Sequence, residues 1–144
     1  MKKRARWFLD NLVSAGSYTH SMGIAAFRES VAKYIEKSDR VPRPSINDIF
    51  LTEGASQGVH MLLSMLICKK QDGIMIPIPQ YPLYSASIAL NGGTAVPYYL
   101  DEESGWQLNS DELQNSYNEA KSKGINIKCI CIINPGNPTG AIFS

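Results

Sequence analysis

No apolar stretch in the 144 residues approaches the roughly 20 needed to cross a bilayer, so a soluble protein without a membrane partner is expected. Excess charge of either sign is also missing. Fourteen Lys and Arg against thirteen Asp and Glu leave a net +1, too weak a field to gather nucleic acid or anionic lipid. Histidine is scarce, with only His20 and His60 on offer as an imidazole base. The three cysteines, Cys68, Cys129 and Cys131, are an odd count without CxxC spacing, and two of them sit in an apolar run. Buried free thiols in a reducing compartment are expected, with no metal site and no disulfide. The opening MKKRARWFLDN is not a secretory signal, because Asp10 and Asn11 interrupt Trp7, Phe8 and Leu9 almost at once; an amphipathic helix is expected instead.

What is present is the composition of an ordinary globular domain or part of one, with 44% hydrophobic and 19% charged residues. Helical spacing appears in Ile24, Phe27, Val31, Tyr34 and Ile35, with Ser21 as the expected N-cap and the VPRP turn at residues 41–44 as the stop. A short strand is expected at Ile49 to Thr52, then a helix marked by Val59, Leu62, Leu63, Leu66 and Ile67. A strand at Ile74 to Pro77, a helix from Tyr81 to Leu90 and a strand from Ala95 to Leu100 follow, with Asn91, Gly92 and Gly93 closing that helix. Asn109 and Glu112 resemble a capping box for a helix that stops at Gly124, and Ile127 to Ile133 reads as the last strand. Strands and helices therefore alternate, and the strand runs are apolar on both faces. That pattern predicts an α/β fold, a mainly parallel sheet with helices on both faces and right-handed crossovers.

Parallel sheets of this kind bind ligands beyond the carboxyl ends of their strands, so the segments after each strand carry the functional information. After the first comes EGASQG, residues 53–58, whose small residues and free helical N–H groups suit an anion. A tight strand-to-helix turn would use the same glycines, and this segment alone does not separate the two. Gly54, Ser56 and Gly58 also satisfy the GxSxG elbow of serine hydrolases. That rival needs an acid and then a histidine downstream, whereas His60 lies one helical turn from Ser56 and no later histidine exists. A Walker phosphate loop is excluded, since Val59 follows Gly58 where lysine is required. After the second strand, Pro77, Pro79 and Pro82 stiffen IPIPQYPLYSA, which presents Tyr81 and Tyr84; Tyr81 suits stacking on a flat heteroaromatic ring. After the last strand, NPGNPTG at residues 134–140 encodes consecutive turns in which Asn137 can offer its amide, and an X-Pro bond there can be cis.

These strings, together with YTHSMGIAAFRE at Tyr18 to Glu29, resemble the class I aminotransferases among the fold-type I pyridoxal-phosphate enzymes. QYPLYSA, INPGNPTG and PYYLDEESGW look most like the alanine aminotransferase branch. The resemblance implies that the chain is part of the large, cofactor-binding domain, with residues 1–45 an N-terminal helical part and residues 46–144 the βαβ units. It implies pyridoxal 5′-phosphate as cofactor, with Ala55 and Ser56 binding the phosphate, Tyr81 stacked on the pyridine ring and Asn137 bonded to the phenolic oxygen. Tyr18 would reach the phosphate of a partner subunit in a homodimer. The implied reaction moves the amino group of L-alanine to 2-oxoglutarate, yielding pyruvate and L-glutamate, in the cytoplasm or mitochondrion. The resemblance also implies that the Schiff-base lysine and the small domain lie beyond Ser144, so the 144-residue polypeptide is expected to be inactive alone. A serine hydrolase built on Ser56 and a non-enzymatic α/β binding module are the alternatives.

Overall fold

The computed structural model describes residues 1–12, 14, 16 and 18–143; Val13, Ala15, Ser17 and Ser144 lie outside the described residues. It divides into two units, Met1–Glu53 and Gly54–Ser144.

In the first unit, α1 (Lys2–Asn11) and α2 (Ala25–Asp39) are joined through aromatic rings. Trp7 stacks on Phe27 with centroids 5.4 Å apart, and Phe8 meets both rings edge-on at 5.3 and 5.5 Å. Arg28 is buried on α2 and acts as a polar pin. It donates from Nε to the Gly23 carbonyl at 3.0 Å and from Nη1 to the Ile46 carbonyl at 2.5 Å, tying the segment before α2 to a 3-10 turn at Ile46–Asp48. Burying a guanidinium is tolerable only with such partners.

Two expectations fail in this unit. Ser21 does not cap α2; the N-cap is Ile24, without a side-chain bond. The strand expected at Ile49 to Thr52 is not formed. The backbone at Ile49 is extended (φ −112, ψ 119), but the Leu51 N–H donates to the Met22 carbonyl at 3.0 Å and no strand pairs with the segment among the described residues. Extension follows from local sequence, whereas a strand also needs a ladder partner.

The second unit holds α3 (Ala55–Leu66), β1 (Asp72–Ile78), α4 (Leu83–Leu90), β2 (Thr94–Tyr99), α5 (Ser110–Ser122) and β3 (Asn126–Ile130). The sheet order is β2-β1-β3 and both pairings are parallel. Central β1 is buried almost throughout, as its apolar run requires. Its side chains alternate between two cores. Ile74 and Ile76 pack with Leu63, Ile67 and Ile88 under α3 and α4, while Met75 packs with Val96, Tyr98, Leu100 and Ala120 under α5. Helices thus cover both faces.

An irregularity refines the β3 edge. Between Gly73 and Ile74 of β1 the register to β3 advances by one residue on one side and two on the other, from Ile127 to Cys129. This bulge turns the strand over, so Ile125 and Ile127 face α5 while Cys129 and Cys131 face α3 and α4. Gly73 is required there by close approach, since a Cβ would sit 2.4 Å from Ile125 Cγ2.

Asn109 caps α5, accepting from the N–H groups of Asp111 at 2.8 Å and Glu112 at 3.4 Å. The reciprocal half of the expected capping box is redirected. Glu112 Oε1 accepts instead from the Tyr99 N–H at 3.0 Å, satisfying the end of β2. The thiol expectation is also corrected in part. Cys129 and Cys131 are half-buried, but Cys68 is exposed, because it lies just past α3 in the turn to β1; all three are free.

Candidate functional site

α3 runs against the direction of β1. Just past its end, the N–H groups of Cys68 and Lys69 donate to the Asp72 carboxylate at 2.9 and 3.1 Å, at the start of β1. A helix of 12 residues spans about 18 Å, so its first turn lies toward the carboxyl edge of the sheet. Ala55 and Ser56 occupy that turn and are exposed. Tyr81 follows β1 directly, is 46% exposed, and comes after the cis Ile78–Pro79 bond. Asn137 lies in the loop after β3, the parallel neighbour of β1, and is exposed beside its cis bond to Pro138; Asn134–Pro135 is also cis. Ala55, Ser56, Tyr81 and Asn137 therefore share one rim. Tyr18 belongs to the other unit, fully exposed beside a hollow of about 430 Å³ lined by Asp10, Asn11, His20 and Ile24.

The donor set on this rim fits a phosphorylated group. Gly54 caps α3 at φ 88 and ψ 167, a conformation open essentially to glycine alone, and it places no side chain over the helix end. The Ala55, Ser56 and Gln57 N–H groups have no intrahelical acceptor, since the first bond of the helix runs from the Gly58 N–H to the Gly54 carbonyl at 3.3 Å. With the Ser56 hydroxyl and the helix dipole, that end favours an oxyanion. Beside Tyr81, the Oε1 atom of Gln80 is buried with no partner among the described residues.

The loop that carries Asn137 is closed on itself. The Gly136 N–H donates to the Ala141 carbonyl at 2.7 Å, Gly140 N–H to the Gly136 carbonyl at 2.8 Å, and Phe143 N–H to Asn134 Oδ1 at 3.1 Å. At its first stem the Tyr98 hydroxyl donates to the Cys131 carbonyl at 2.7 Å. At its second, Gln107 Nε2 donates to the Ile142 carbonyl at 3.2 Å and Phe143 packs into the Tyr98 cluster. None of Tyr98, Gln107 and Phe143 carries a sequence signal beyond hydrophobicity or polarity. Only the fold reveals that they support this loop.

Nucleophilic alternatives find no support in the geometry. His60 Nδ1 lies 3.1 Å from the buried Ser87 hydroxyl, which in turn donates to the Leu83 carbonyl at 2.6 Å, so the imidazole ties α3 to α4. Burial pushes the Cys129 and Cys131 thiols up, the latter partly offset by a bond from the Tyr84 hydroxyl; protonated thiols are poor nucleophiles. Tyr84 is itself raised, first by burial and then by Cys131. Among the described residues no group of three or more His, Cys, Asp or Glu side chains could hold a metal ion.

A parallel sheet covered on both faces, with its anion-receptive helix end and presenting loops on the carboxyl rim, is the architecture of the large domain of fold-type I transferases. A family model described as aminotransferase class I and II matches residues 3–144. The chain is 54% identical to alanine aminotransferase 1, mitochondrial, of Arabidopsis thaliana, covering 99% of this chain and 26% of that protein. It is 48% identical to glutamate–glyoxylate aminotransferase 2 of the same plant, covering 98% and 29%. A solved archaeal alanine:glyoxylate aminotransferase superposes with a TM-score of 0.83 at 25% identity, covering 99% of this chain and 34% of that one. The chain accordingly belongs to the aminotransferase class I and II family. It spans about a quarter of the length of the curated relatives it matches. Neither the hydrolase nor the binding-module alternative is supported by these similarities.

Proposed function

We propose that this chain supplies part of the cofactor cradle of a pyridoxal-phosphate aminotransferase that moves the amino group of L-alanine to 2-oxoglutarate, giving pyruvate and L-glutamate. The observation that carries the reading is the shared rim: a helix end without a side-chain cap bond, an exposed phenol and an exposed carboxamide all follow the carboxyl side of one sheet. The Ala55 and Ser56 N–H groups and the Ser56 hydroxyl would bind the phosphate, Tyr81 would stack on the ring, and Asn137 would donate to its phenolic oxygen. When bound, pyridoxal phosphate supplies the electron sink that allows a bond at the amino acid's α-carbon to break. The rim residues of this chain bind and orient; a lysine to move the proton is not among them.

That division follows from where its lysines sit. Lys69 and Lys70 precede β1, and Lys121 and Lys123 end α5 before β3, all toward the amino edge. Lys128 pairs with the Asp72 carboxylate there at 3.4 Å. Among the described residues of the second unit no lysine is on the rim, and the 144-residue polypeptide by itself is expected not to turn over substrate. Tyr18 would contribute to a neighbouring subunit's phosphate site in a homodimer. A mitochondrial or cytoplasmic location is part of the same reading, supported by the name of the Arabidopsis relative.

The test is a titration of the full-length protein with pyridoxal phosphate, followed by visible absorbance, and a coupled assay of pyruvate formed from L-alanine. 2-Oxoglutarate and glyoxylate are compared as acceptors. Saturable binding with alanine-dependent pyruvate release is the expected result, and 2-oxoglutarate is the expected better acceptor. Absence of cofactor binding in the full-length protein would sink the reading.

A further inference from the structure

We propose that Tyr98, with Gln107 as its counterpart, is a positioning residue for Asn137, holding the two stems of the 132–142 loop. The inference rests on the rim reading above and extends it to residues outside the rim. Tyr98 is completely buried on β2, opposite Pro77 of the central strand. Its hydroxyl passes the central strand and donates to the Cys131 carbonyl at 2.7 Å, a contact between residues 33 apart in sequence. The Cys131 N–H donates to the Met75 carbonyl at 2.8 Å. The peptide group on each side of Cys131 is therefore held, from β1 on one side and β2 on the other, where the strand gives way to the loop. Burial pushes the Tyr98 phenol up to about 12, so the donor persists throughout the physiological range.

The far stem is treated similarly. Phe143 packs in the same cluster as Tyr98, and Gln107 holds the Ile142 carbonyl at 3.2 Å. Gln107 is itself fixed, because its carbonyl accepts from the Asp101 N–H at 3.1 Å in an isolated antiparallel bridge. Between the stems, the Gly136 N–H to Ala141 carbonyl and Gly140 N–H to Gly136 carbonyl bonds close the loop on itself. Asn137 then inherits its place from the stems. A buried tyrosine needs a partner for its hydroxyl, but any nearby carbonyl would serve that need; this one belongs to the residue immediately after β3, where the loop begins.

The experiment compares wild type, Tyr98→Phe, Asn137→Ala and the double variant of the full-length protein. Amide hydrogen exchange across residues 134–143 is measured without cofactor, and the pyridoxal phosphate Kd by absorbance titration. Tyr98→Phe keeps the ring and removes the donor. It is expected to speed exchange at Gly136, Gly140 and Phe143 and to raise Kd about fivefold, the scale of one neutral hydrogen bond. In the Asn137→Ala background, Tyr98→Phe should raise Kd no further, because a device that acts through Asn137 has nothing left to position. Equal effects in both backgrounds, or unchanged exchange in the loop, would overturn the proposal. Should Tyr98→Phe fail to fold, Gln107→Ala tests the same device at the other stem: faster loop exchange supports it and unaltered exchange rejects it. If wild type shows no cofactor binding, the rim reading falls, while the exchange data still decide whether Tyr98 anchors the loop.

Discussion

The two edges of the sheet in the second unit use polar groups in opposite ways. At the amino edge they are turned inward and paired. Asp72, whose side chain is 1% exposed, accepts from the Cys68 and Lys69 N–H groups and faces Lys128 Nζ at 3.4 Å and Asn126 Nδ2 at 3.5 Å. Thr94 Oγ1 closes the same edge on the Lys70 carbonyl at 2.6 Å. At the carboxyl edge the Ser56 hydroxyl, the Tyr81 phenol and the Asn137 amide are presented outward on glycine- and proline-rich segments. One end of the sheet is committed to holding the fold, and the other keeps its hydrogen-bonding capacity for something else. Fold stability and ligand affinity should therefore respond to different substitutions.

The largest effect should come from the core that both edges share. Ile74→Ala, at a position with no exposure, is expected to cost about 2–5 kcal/mol, read as a lower urea midpoint, and to weaken cofactor binding along with it. Gly54→Ala should separate the edges. Space is open around a Cβ there, yet φ 88 forces strain of about 1–3 kcal/mol or a relaxed helix start. Loss of pyridoxal phosphate affinity disproportionate to the change in midpoint would locate the damage at the rim. Asn137→Ala should raise Kd roughly tenfold, a bond to a charged group being worth about 1.5–3 kcal/mol, while stability stays within about 0.5 kcal/mol. A matching loss of stability would break the contrast between the edges.

The smallest and most specific effect concerns pH. The Cys68 N–H bond, followed by the Lys128 charge and the Lys69 N–H, holds the Asp72 carboxyl below its ordinary range despite its burial. Its folded value is lower than its unfolded one, so its stabilising contribution is complete above the ordinary carboxylate pKa. It is lost as pH falls through that value toward the folded one. Urea midpoints measured from pH 7 downward should decline less steeply in Asp72→Asn than in wild type, with cofactor affinity at pH 7 unaffected. Parallel declines in the two proteins would show that Asp72 is not the group responsible.

Much of the fold could be read from residue order. The apolar runs at β1, β2 and β3, the glycine stops and the Asn109 cap all mark local choices, and local physics decides them. The rim residues were legible for a related reason: proline and glycine around Tyr81 and Asn137 restrict the backbone whatever surrounds them. Three readings went astray where the outcome depended on a distant partner. Ile49 to Thr52 is extended but unpaired, Glu112 turned from its own helix to the Tyr99 N–H, and Cys68 stayed in solvent beside a buried Asp72. Arg28, Tyr98 and Gln107 were silent because each acts through side-chain hydrogen bonds to backbone carbonyls that no pattern announces.

By itself, the sequence determined the alternation of strands and helices, the membership of this chain in its family and the chemical identity of the groups beyond each strand. Tertiary structure alone decided the sheet order, the bulge that turns β3 over and the clamp from Tyr98 to Cys131. The physical reason is range: dihedral preference and periodicity act over a few residues, while pairing and burial are settled only when segments remote in the chain come into contact.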